Sequence, residues 1–406
     1  MGNINIPAIR FPNFDNDWER VKLGDISSWY SGGTPSKKND QFWNGTIPWI
    51  SASSMRGNEY GDSKLKISQD GLKSGSRLAK KGSLLLLVRG SMLFNKIPIG
   101  IATKDVAFNQ DVKAIKIESK STSKYILYYL NSNENKLLSI VSGTGIGAGK
   151  LDLGDLKAFA ISMPTLPEQQ KIASFFTAID KKISQLKRKK TLLEHYKKGV
   201  MQKIFSQEIR FRDDNGQEFP KWEKKRLEDL LIESSEKTSI SNQHRILSST
   251  AKGIFNQDEY FNRDIASKDN SGYKILRMNQ LVFSPQNLWL GNINVNTEFE
   301  IGIVSPSYKI FSFNREFTTA QYCKYYLTIP EMMFEYEQAS EQGASVVRRN
   351  LSMDIFLGIR INLPALPEQT KIADFLSSID DKILHTQTQI EKAELWKKGL
   401  LQKMFV

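Results

Sequence analysis

The segment LPEQQKIASFFTAIDKKI starts at Leu166, and the closely similar LPEQTKIADFLSSIDDKI starts at Leu366, 200 positions later. A gapless alignment of residues 166–205 with 366–405 gives 19 identities in 40 positions. A weaker echo relates WERVKLGDI at Trp18 to WEKKRLEDL at Trp222. The chain is therefore an internal repeat, in which a variable block of roughly 150 residues precedes a constant block of roughly 40.

The constant block has the pattern of a long helix. No proline stands between Pro167 and Pro220 or after Pro367, and apolar residues recur every 3.5 positions on average, the period of a coiled-coil seam. The seam residues are Ile172, Phe176, Ile179, Ile183, Ile372, Leu376, Ile379 and Ile383. Forty helical residues span about 60 Å, so the pattern predicts two long helices that pair as a coiled coil. Two ordinary core helices are the alternative interpretation.

The variable blocks have a different pattern. Strand-like runs in the first are SLLLLV, VKAIKI and FAISM, with one helical segment, SKYILYYLNSNENKLLSIV. Runs in the second are LVFS, IGIVS, KIFSF and GIRINL, around the probable helix TTAQYCKYYLTIPEMMFEY. We therefore predict an α+β fold class with two mixed α/β domains at 1–163 and 211–363, and long helices within 164–210 and 364–406.

Composition narrows the class of protein. At 406 residues, 40% hydrophobic and 25% charged, the chain is typical of a soluble protein of two or more domains. Its longest strongly apolar run, Leu84 to Val88, is too short to span a membrane. The first residues lack a signal-peptide core, so we expect a cytoplasmic protein. A formal charge of +13 makes nucleic acid the first partner to consider.

Candidate catalytic and metal sites are weak. One cysteine and three scattered histidines predict neither a disulfide nor a zinc site. GTGIGAGK at Gly143 resembles a dinucleotide loop, but the residues that follow leave no room for the helix which that motif needs. Asp111, Glu118 and Lys120 have the loose spacing of a metal-dependent nuclease, yet they belong to a run that alternates like a surface strand. His195 is better explained as a solvated or seam residue, so we predict no catalytic residue and no metal ligand.

Polar and basic loops offer groups that bind DNA. Lysine and arginine neutralise phosphates, while serine, asparagine, glutamine and arginine contact backbone or base edges. Predicted DNA-binding residues of the first block are Lys37, Lys38, Trp49, Ser51, Ser53, Ser54, Arg56, Arg77 and Arg89. Those of the second block are Ser248, Ser249, Lys252, Arg263, Lys274, Gln286, Asn287, Trp289, Asn292, Arg348 and Arg349.

The two constant blocks differ in charge. Residues 166–205 contain ten Lys or Arg and three acids, whereas residues 366–405 contain six of each. A basic run such as LKRKK is usually a solvated face of a helix, but it could also lie near DNA phosphates. Both interpretations stay open.

Two variable domains, each followed by a helix that begins LPEQ-KIA-F---ID-KI, resemble the specificity subunit (HsdS) of a type I restriction-modification system. GGTPSKKNDQFWNGTIPWIS at Gly32–Ser51 also resembles the start of a target recognition domain of that family. The second block departs from this pattern, with HRILSSTAKGIFNQ at the corresponding place.

The resemblance implies a non-catalytic DNA-reading subunit without a cofactor of its own. Each target recognition domain would bind half of a split, asymmetric DNA site, and the two helices would pair antiparallel to hold the domains apart. The helices would also dock two methyltransferase (HsdM) subunits, for which we predict the eight seam residues as partner-binding residues. Restriction (HsdR) subunits would join, and S-adenosylmethionine, ATP and magnesium would belong to these partners. No membrane partner is expected.

Two other functions are compatible with the residues alone. One is a self-contained nuclease or methyltransferase whose motifs are not apparent. The other is a coiled-coil adaptor whose basic loops are incidental. Activity of the isolated chain on DNA would favour the first, and DNA binding without sequence preference would favour the second.

Overall fold

The computed structural model describes residues 6–145, 147–260, 269–342 and 349–406. The chain forms two compact units, one made of the residues up to Lys187 together with Thr388–Val406, and one made of Arg188–Gln387. The long helices are Leu166–Phe205 and Leu366–Met404. Each unit thus combines one variable block with the beginning of one long helix and the end of the other.

The helices run antiparallel within each unit. In the first unit, Asp180 pairs with Lys397 at 2.5 Å and Lys187 pairs with Glu394 at 2.6 Å, so rising numbers in one helix meet falling numbers in the other. In the second unit, Lys197 pairs with Asp380 at 2.6 Å, which is the same pair with the two repeats exchanged. The predicted fold class, with two mixed α/β domains and two long antiparallel helices, is confirmed.

The glutamate of LPEQ is the buried end of an ion pair. Glu168, whose side chain is 0% exposed, accepts two hydrogen bonds of 2.8 Å from the Arg10 guanidinium. Glu368 accepts 3.1 and 2.7 Å bonds from Arg210, at the same 158-residue separation. A bidentate arginine compensates a buried carboxylate well, so this glutamate fastens the start of each long helix to the segment that precedes its domain.

The glutamine of LPEQ fastens the same helix start to the variable domain. The Oε1 atom of Gln169 accepts from the Ser121 hydroxyl at 2.8 Å and from the Thr122 N–H at 3.2 Å. Gln369 accepts from the Thr318 hydroxyl at 2.9 Å and from the Thr319 N–H at 3.3 Å. The repeated motif is therefore a joint between helix and domain.

The repeated aspartate further along each helix is a third fixed contact. Asp180 accepts a 2.8 Å hydrogen bond from the Tyr128 hydroxyl and pairs with Lys397, whose ammonium lies 5.6 Å from the centre of the Tyr128 ring. Asp380 makes the same contacts with Tyr325 and Lys197. Burial and the neighbouring carboxylate together raise the pKa of both tyrosines, with burial the larger cause, so both hydroxyls remain protonated donors.

In the first unit, the variable block folds around a five-stranded sheet. Its strands, in spatial order, are Ser27–Ser31, Val112–Ile117, Leu84–Leu87, Ile99–Ala102 and Glu59–Tyr60. A four-stranded sheet has the order Lys66–Ile67, Ile47–Ile50, Val106–Phe108 and Arg77–Ala79. The short strands are Glu19–Lys22 with Ala160–Met163, and a three-stranded set in the order Ser142–Gly143, Gly149–Lys150 and Arg89–Gly90. The α-helices are Gln69–Gly75, Ser123–Ser132, Glu134–Ser139 and Leu153–Ala158, and the 3₁₀ turns are Leu23–Ile26, Asp40–Phe42, Ala52–Ser54 and Ser91–Phe94.

The second unit has a corresponding four-stranded sheet. Its strands, in spatial order, are Leu231–Ser234, Lys309–Phe313, Leu281–Phe283 and Ile293–Val295. The paired strands are Glu223–Arg226 with Arg360–Leu363, Leu247–Thr250 with Gly253–Asn256, Lys274–Arg277 with Ile301–Val304, and Ser340–Gln342 with Arg349–Leu351. The helices are Leu227–Leu230, Gln257–Tyr260, Ala320–Tyr326, Pro330–Gln338 and Met353–Gly358, with a 3₁₀ turn at Leu288–Leu290.

Two predicted helices are each broken into two. The first breaks at Asn133, whose backbone leaves helical geometry (φ −103°, ψ 21°) and whose side-chain amide shares the Tyr129 carbonyl with its own N–H. The second breaks before Pro330, which has no N–H to donate and holds the preceding Ile329 extended, with ψ 157°. In both domains the first helix of the pair, Ser123–Ser132 or Ala320–Tyr326, is the more deeply buried of the two.

Candidate nucleic-acid interface

The predicted contact residues of the first domain lie mainly at its surface. Six of the nine are exposed, namely Lys37, Lys38, Ser53, Arg56, Arg77 and Arg89. Ser51 and Ser54 are half-buried, and Trp49 is only 5% exposed. This domain therefore presents both basic and hydroxyl groups to solvent, as DNA binding requires.

Trp49 supports the neighbouring loop. Its indole N–H donates at 3.1 Å to the Gly33 carbonyl, and its ring meets Trp43 edge to face at 5.1 Å. The Trp43 indole in turn donates at 3.2 Å to the Ser36 carbonyl. Both tryptophans thus hold the loop that carries Lys37 and Lys38.

The serine-rich segment after Ile50 is held by its own hydroxyls. The Ser51 N–H donates to the Ser54 hydroxyl at 3.0 Å, and the Ser51 and Ser53 hydroxyls lie 3.1 Å apart. Ser54 returns a 3.1 Å bond to the Ser51 carbonyl. These contacts fix a compact 3₁₀ turn whose outer edge is Ser53.

The turn 109–111 brings three of the predicted loops together. Hydrogen bonds connect this turn and the residue before it to the residues that directly precede Ser51, Arg77 and Arg89. They run from Asn109 N–H to Ile50 O (3.0 Å), from the Ser76 hydroxyl to Phe108 O (3.1 Å) and from Val88 N–H to Asp111 O (2.8 Å). Residues scattered over the sequence therefore meet at one end of the domain.

Two residues near this turn were not predicted from the sequence. The Tyr30 ring lies 5.1 Å from the Arg77 guanidinium carbon, and Lys113 donates at 2.7 Å to the Ser31 hydroxyl. Burial lowers the pKa of Lys113. The alternation of VKAIKI already places Lys113 opposite the buried face of its strand, a signal that would have identified it.

The predicted residues of the second domain fall into three groups. Lys252, Gln286 and Arg349 are exposed or half-buried, as are Lys274, Asn287 and Trp289. Ser248, Ser249 and Asn292 are buried. Arg263 and Arg348 lie outside the described residues.

The buried group forms an internal hydrogen-bond network. Ser249 donates to the Asn292 amide oxygen at 2.8 Å and accepts from the Asn294 amide at 2.8 Å. The Tyr308 hydroxyl donates to the Ser249 carbonyl at 3.1 Å, and Lys274 donates to the Tyr308 carbonyl at 2.6 Å. These residues stabilise the hairpin 247–256 close to its tip, which carries Lys252.

A second cluster joins three predicted residues. The Arg349 guanidinium carbon lies 4.2 Å from the Trp289 ring centre, within cation–π range. The Arg349 N–H donates to the Gln286 carbonyl at 3.3 Å, and its Nη2 lies 3.1 Å from Glu337. The guanidinium is thus held over an aromatic ring by its contacts with Trp289 and Glu337.

The eight seam residues pack inside this chain. Seven are at most 7% exposed, and Ile383 packs against the same core as Ile372, Leu376 and Ile379. A partner protein would therefore meet other side chains of the helices. Tyr196 and Trp396, which are equivalent in the repeat, are 53% and 55% exposed.

The basic run of the first long helix is partly paired. Lys187 contacts Glu394, and Lys190 lies 3.6 Å from Glu194. Arg188 and Lys189 are exposed. Exposed pairs of this kind contribute little stability, and they reduce the net charge which that face presents.

The catalytic alternatives lose support from the geometry. Residues 142–143 and 149–150 pair as a hairpin, whereas a dinucleotide loop connects a strand to a helix. Asp111 and Glu118 flank the strand Val112–Ile117, so their Cα atoms are separated by roughly 20 Å, too far to share a metal ion. The described residues contain no group of three or more His, Cys, Asp or Glu side chains placed to hold a metal.

None of the described helices combines the length and apolarity needed to cross a bilayer.

The geometry defines a class of protein, in which two loop-rich α/β domains are each fastened to one copy of a repeated helix. The family model described as "Type I restriction modification DNA specificity domain" matches residues 15–195 and again 220–395. The chain therefore belongs to this family, the specificity subunits of type I restriction-modification systems.

Individual relatives agree with this assignment. The chain is 27% identical over 417 residues to the MjaIX specificity subunit of Methanocaldococcus jannaschii, covering 96% of this chain and 92% of that one. It is 32% identical over 174 residues to the EcoR124I/EcoR124II specificity subunit of Escherichia coli, a match that spans 42% of this chain and 43% of that subunit. In fold it is similar to the type I S subunit from M. genitalium, with a TM-score of 0.58, 16% identity and 99% coverage of both chains.

Proposed function

We propose that each variable domain binds one half of a bipartite, asymmetric site in double-stranded DNA. The observation that carries this proposal is that two domains with separate cores and unlike surface loops are joined to similar helices through the same LPEQ contacts. One framework with two different sets of loops suits two different half-sites. The functional division is 1–163 and 211–363 for the target recognition domains, and 164–210 and 364–406 for the spacer helices.

The two helices set the distance between the half-sites and dock two methyltransferase subunits, while restriction subunits join the assembly. Adenine N6 methylation and DNA cleavage belong to these partners, which bind S-adenosylmethionine, ATP and magnesium. The equivalent exposed aromatics Tyr196 and Trp396 support a partner that binds the same surface twice. The DNA contacts of this chain are the predicted residues, with the buried Trp49, Ser248, Ser249 and Asn292 acting through the loops they support.

Co-purification tests the assembly. We expect the full chain, tagged and expressed in its native cell, to bring down two methyltransferase chains per copy. That complex should methylate DNA with S-adenosylmethionine, whereas the chain alone should not. DNA cleavage or methylation by the chain alone would favour a self-contained enzyme, and binding without sequence preference would favour an adaptor.

Arg349 offers a test of the second domain. We expect Arg349→Lys, which keeps the charge but loses the planar group that stacks on Trp289, to weaken binding to the second half-site by roughly tenfold. Discrimination within the first half-site should not change. The measurement is competition binding of the complex to duplexes altered in one half-site at a time.

The matched control is Arg277→Lys in the same domain. Arg277 is exposed and pairs with Glu236 at 2.7 Å away from the tryptophan, so this change should leave both half-sites unaffected. Wild-type binding by Arg349→Lys would mean that contact of the guanidinium with Trp289 does not contribute, and an equal loss in both variants would mean that the loss is not specific to Arg349.

A further inference from the structure

The turn Asn109–Asp111 lies among the three loops that carry Ser51, Arg77 and Arg89, as described above. It connects the strand Val106–Phe108 of one sheet to the strand Val112–Ile117 of the other. Because both strands are anchored in sheets, the turn has a rigid base. Gln110 is exposed and Asp111 is half-buried, so their side chains reach the surface at this place.

Both side chains are held in position by neighbours. The Thr34 hydroxyl donates at 2.7 Å to the Gln110 amide oxygen, and the Asn109 amide donates at 3.0 Å to the Asp111 carboxylate. Exposed polar side chains normally sample several rotamers, and holding them before binding lowers the entropic cost of recognition.

The hydrogen bond to Asp111 fixes which way the Asn109 amide faces. A carboxylate only accepts, so the amide nitrogen of Asn109 must face Asp111. Its amide oxygen is then buried without a hydrogen-bond partner among the described residues. The amide nitrogen of Asn109 therefore fixes the orientation of the Asp111 carboxylate.

The negative charge of Asp111 indicates which chemical group of DNA it contacts. Arg77, Arg89 and Lys113 lie around the turn, and such a surface attracts phosphates, which repel a carboxylate. A carboxylate in a DNA interface gains energy when it accepts a hydrogen bond from the amino group of a base, above all cytosine N4. Glutamine beside it can pair with an adenine edge.

The second domain has different chemistry at the corresponding turn. Between its strands Ile301–Val304 and Lys309–Phe313 the chain has Ser305, Pro306, Ser307 and Tyr308, and the two serine hydroxyls lie 3.1 Å apart. Hydroxyls bind either donors or acceptors. The same place in the shared framework thus carries different groups in the two domains.

We propose that Gln110 and Asp111 determine specificity in the first half-site, with Asp111 accepting a hydrogen bond from the exocyclic amino group of a base in the major groove. Asn109 and Thr34 are positioning residues for this pair. The inference rests on the proposed function, since it requires that the first domain binds one half of a DNA site.

The test compares Asp111→Ala with Asp105→Ala in the full chain within its purified complex. Asp105 precedes the same strand, Val106–Phe108, at its opposite end and pairs with Lys80 at 2.8 Å. Both changes remove one negative charge from the same domain and therefore alter nonspecific attraction to DNA alike. The probe is a pool of double-stranded DNA with randomised positions, from which bound molecules are sequenced.

We expect Asp111→Ala to reduce discrimination at one base pair of the first half-site by roughly 10-fold to 100-fold. The second half-site and the Asp105→Ala variant should keep the wild-type preference. Gln110→Ala, which alters only an exposed side chain, should relax the same or the adjacent base pair. Retained preference at the other base pairs of the first half-site shows that the altered domain is folded.

Unchanged base preference in both Asp111→Ala and Gln110→Ala, with a two-part site still selected, would overturn this inference and leave the proposed function intact. A wild-type complex that selects no two-part site would instead contradict the proposed function itself.

Discussion

Replacing Arg10 by methionine is expected to lower the free energy of unfolding of the first unit by about 3–5 kcal/mol. The reason is that Glu168, with a side chain 0% exposed, loses a bidentate partner that is itself only 12% exposed. A buried carboxylate without its partner must either remain desolvated or take up a proton, and both are unfavourable. Urea unfolding followed by circular dichroism measures the change.

Three comparisons make this prediction specific. Arg226→Met, which breaks an exposed pair with Glu228, should have no measurable effect. Arg210→Met should cost less than Arg10→Met, because Glu368 keeps the Trp222 indole N–H as a donor at 3.0 Å. The double variant Arg10→Met with Glu168→Leu should recover much of the loss, since it removes the buried charge. A single variant as stable as the wild type would show that the pair does not fasten the helix.

The two long helices could be predicted from the sequence, whereas the role of the LPEQ motif at the start of each helix could not. A spacing of 3.5 residues is local information, and it marked Ile172 and Phe176 as buried. The role of Glu168 depends on Arg10, 158 positions away, and no pattern within one helix contains that pairing. Asn133 and Pro330 are residue types that disfavour the interior of a helix. The apolar period continues across both residues, however, and therefore predicted one uninterrupted helix in each domain.

The candidate interface shows the same limit. Composition and loop polarity correctly marked Lys37, Arg77 and Arg89 as surface groups, because charged side chains are rarely buried unpaired. Ser249 has the same residue type as Ser53, and only the fold distinguishes a buried hydroxyl from an exposed one. The role proposed for Gln110 and Asp111 could not be predicted from the sequence, because it depends on three loops that meet at their turn and are far apart in sequence order.

Lengthening both helices equally should change the DNA site that is recognised. Four residues inserted after Arg188 and four after Thr388, equivalent positions of the repeat, add about 6 Å of helix, close to two base pairs at 3.4 Å each. If the helices set the spacer, methylation at the original sites should fall sharply, and new sites with a longer spacer should appear. The two half-site sequences should remain the same, because the domains that bind them are unaltered.

Sequencing of methylated sites in cells that carry the variant provides the measurement. The matched control is the same four-residue insertion after Asn215, in the turn where Asp213 bonds to Gln217. This turn lies beyond the end of the helix at Phe205, so the control adds chain length without adding helix and should leave the spacer as it was. An unchanged spacer in the helix variant, or an equal change in the control, would show that something other than helix length sets the distance between the half-sites. A longer spacer in the helix variant alone requires that the two helices act together as one stiff element. In a flexible connection the added residues would not change the distance between the half-sites in a fixed way.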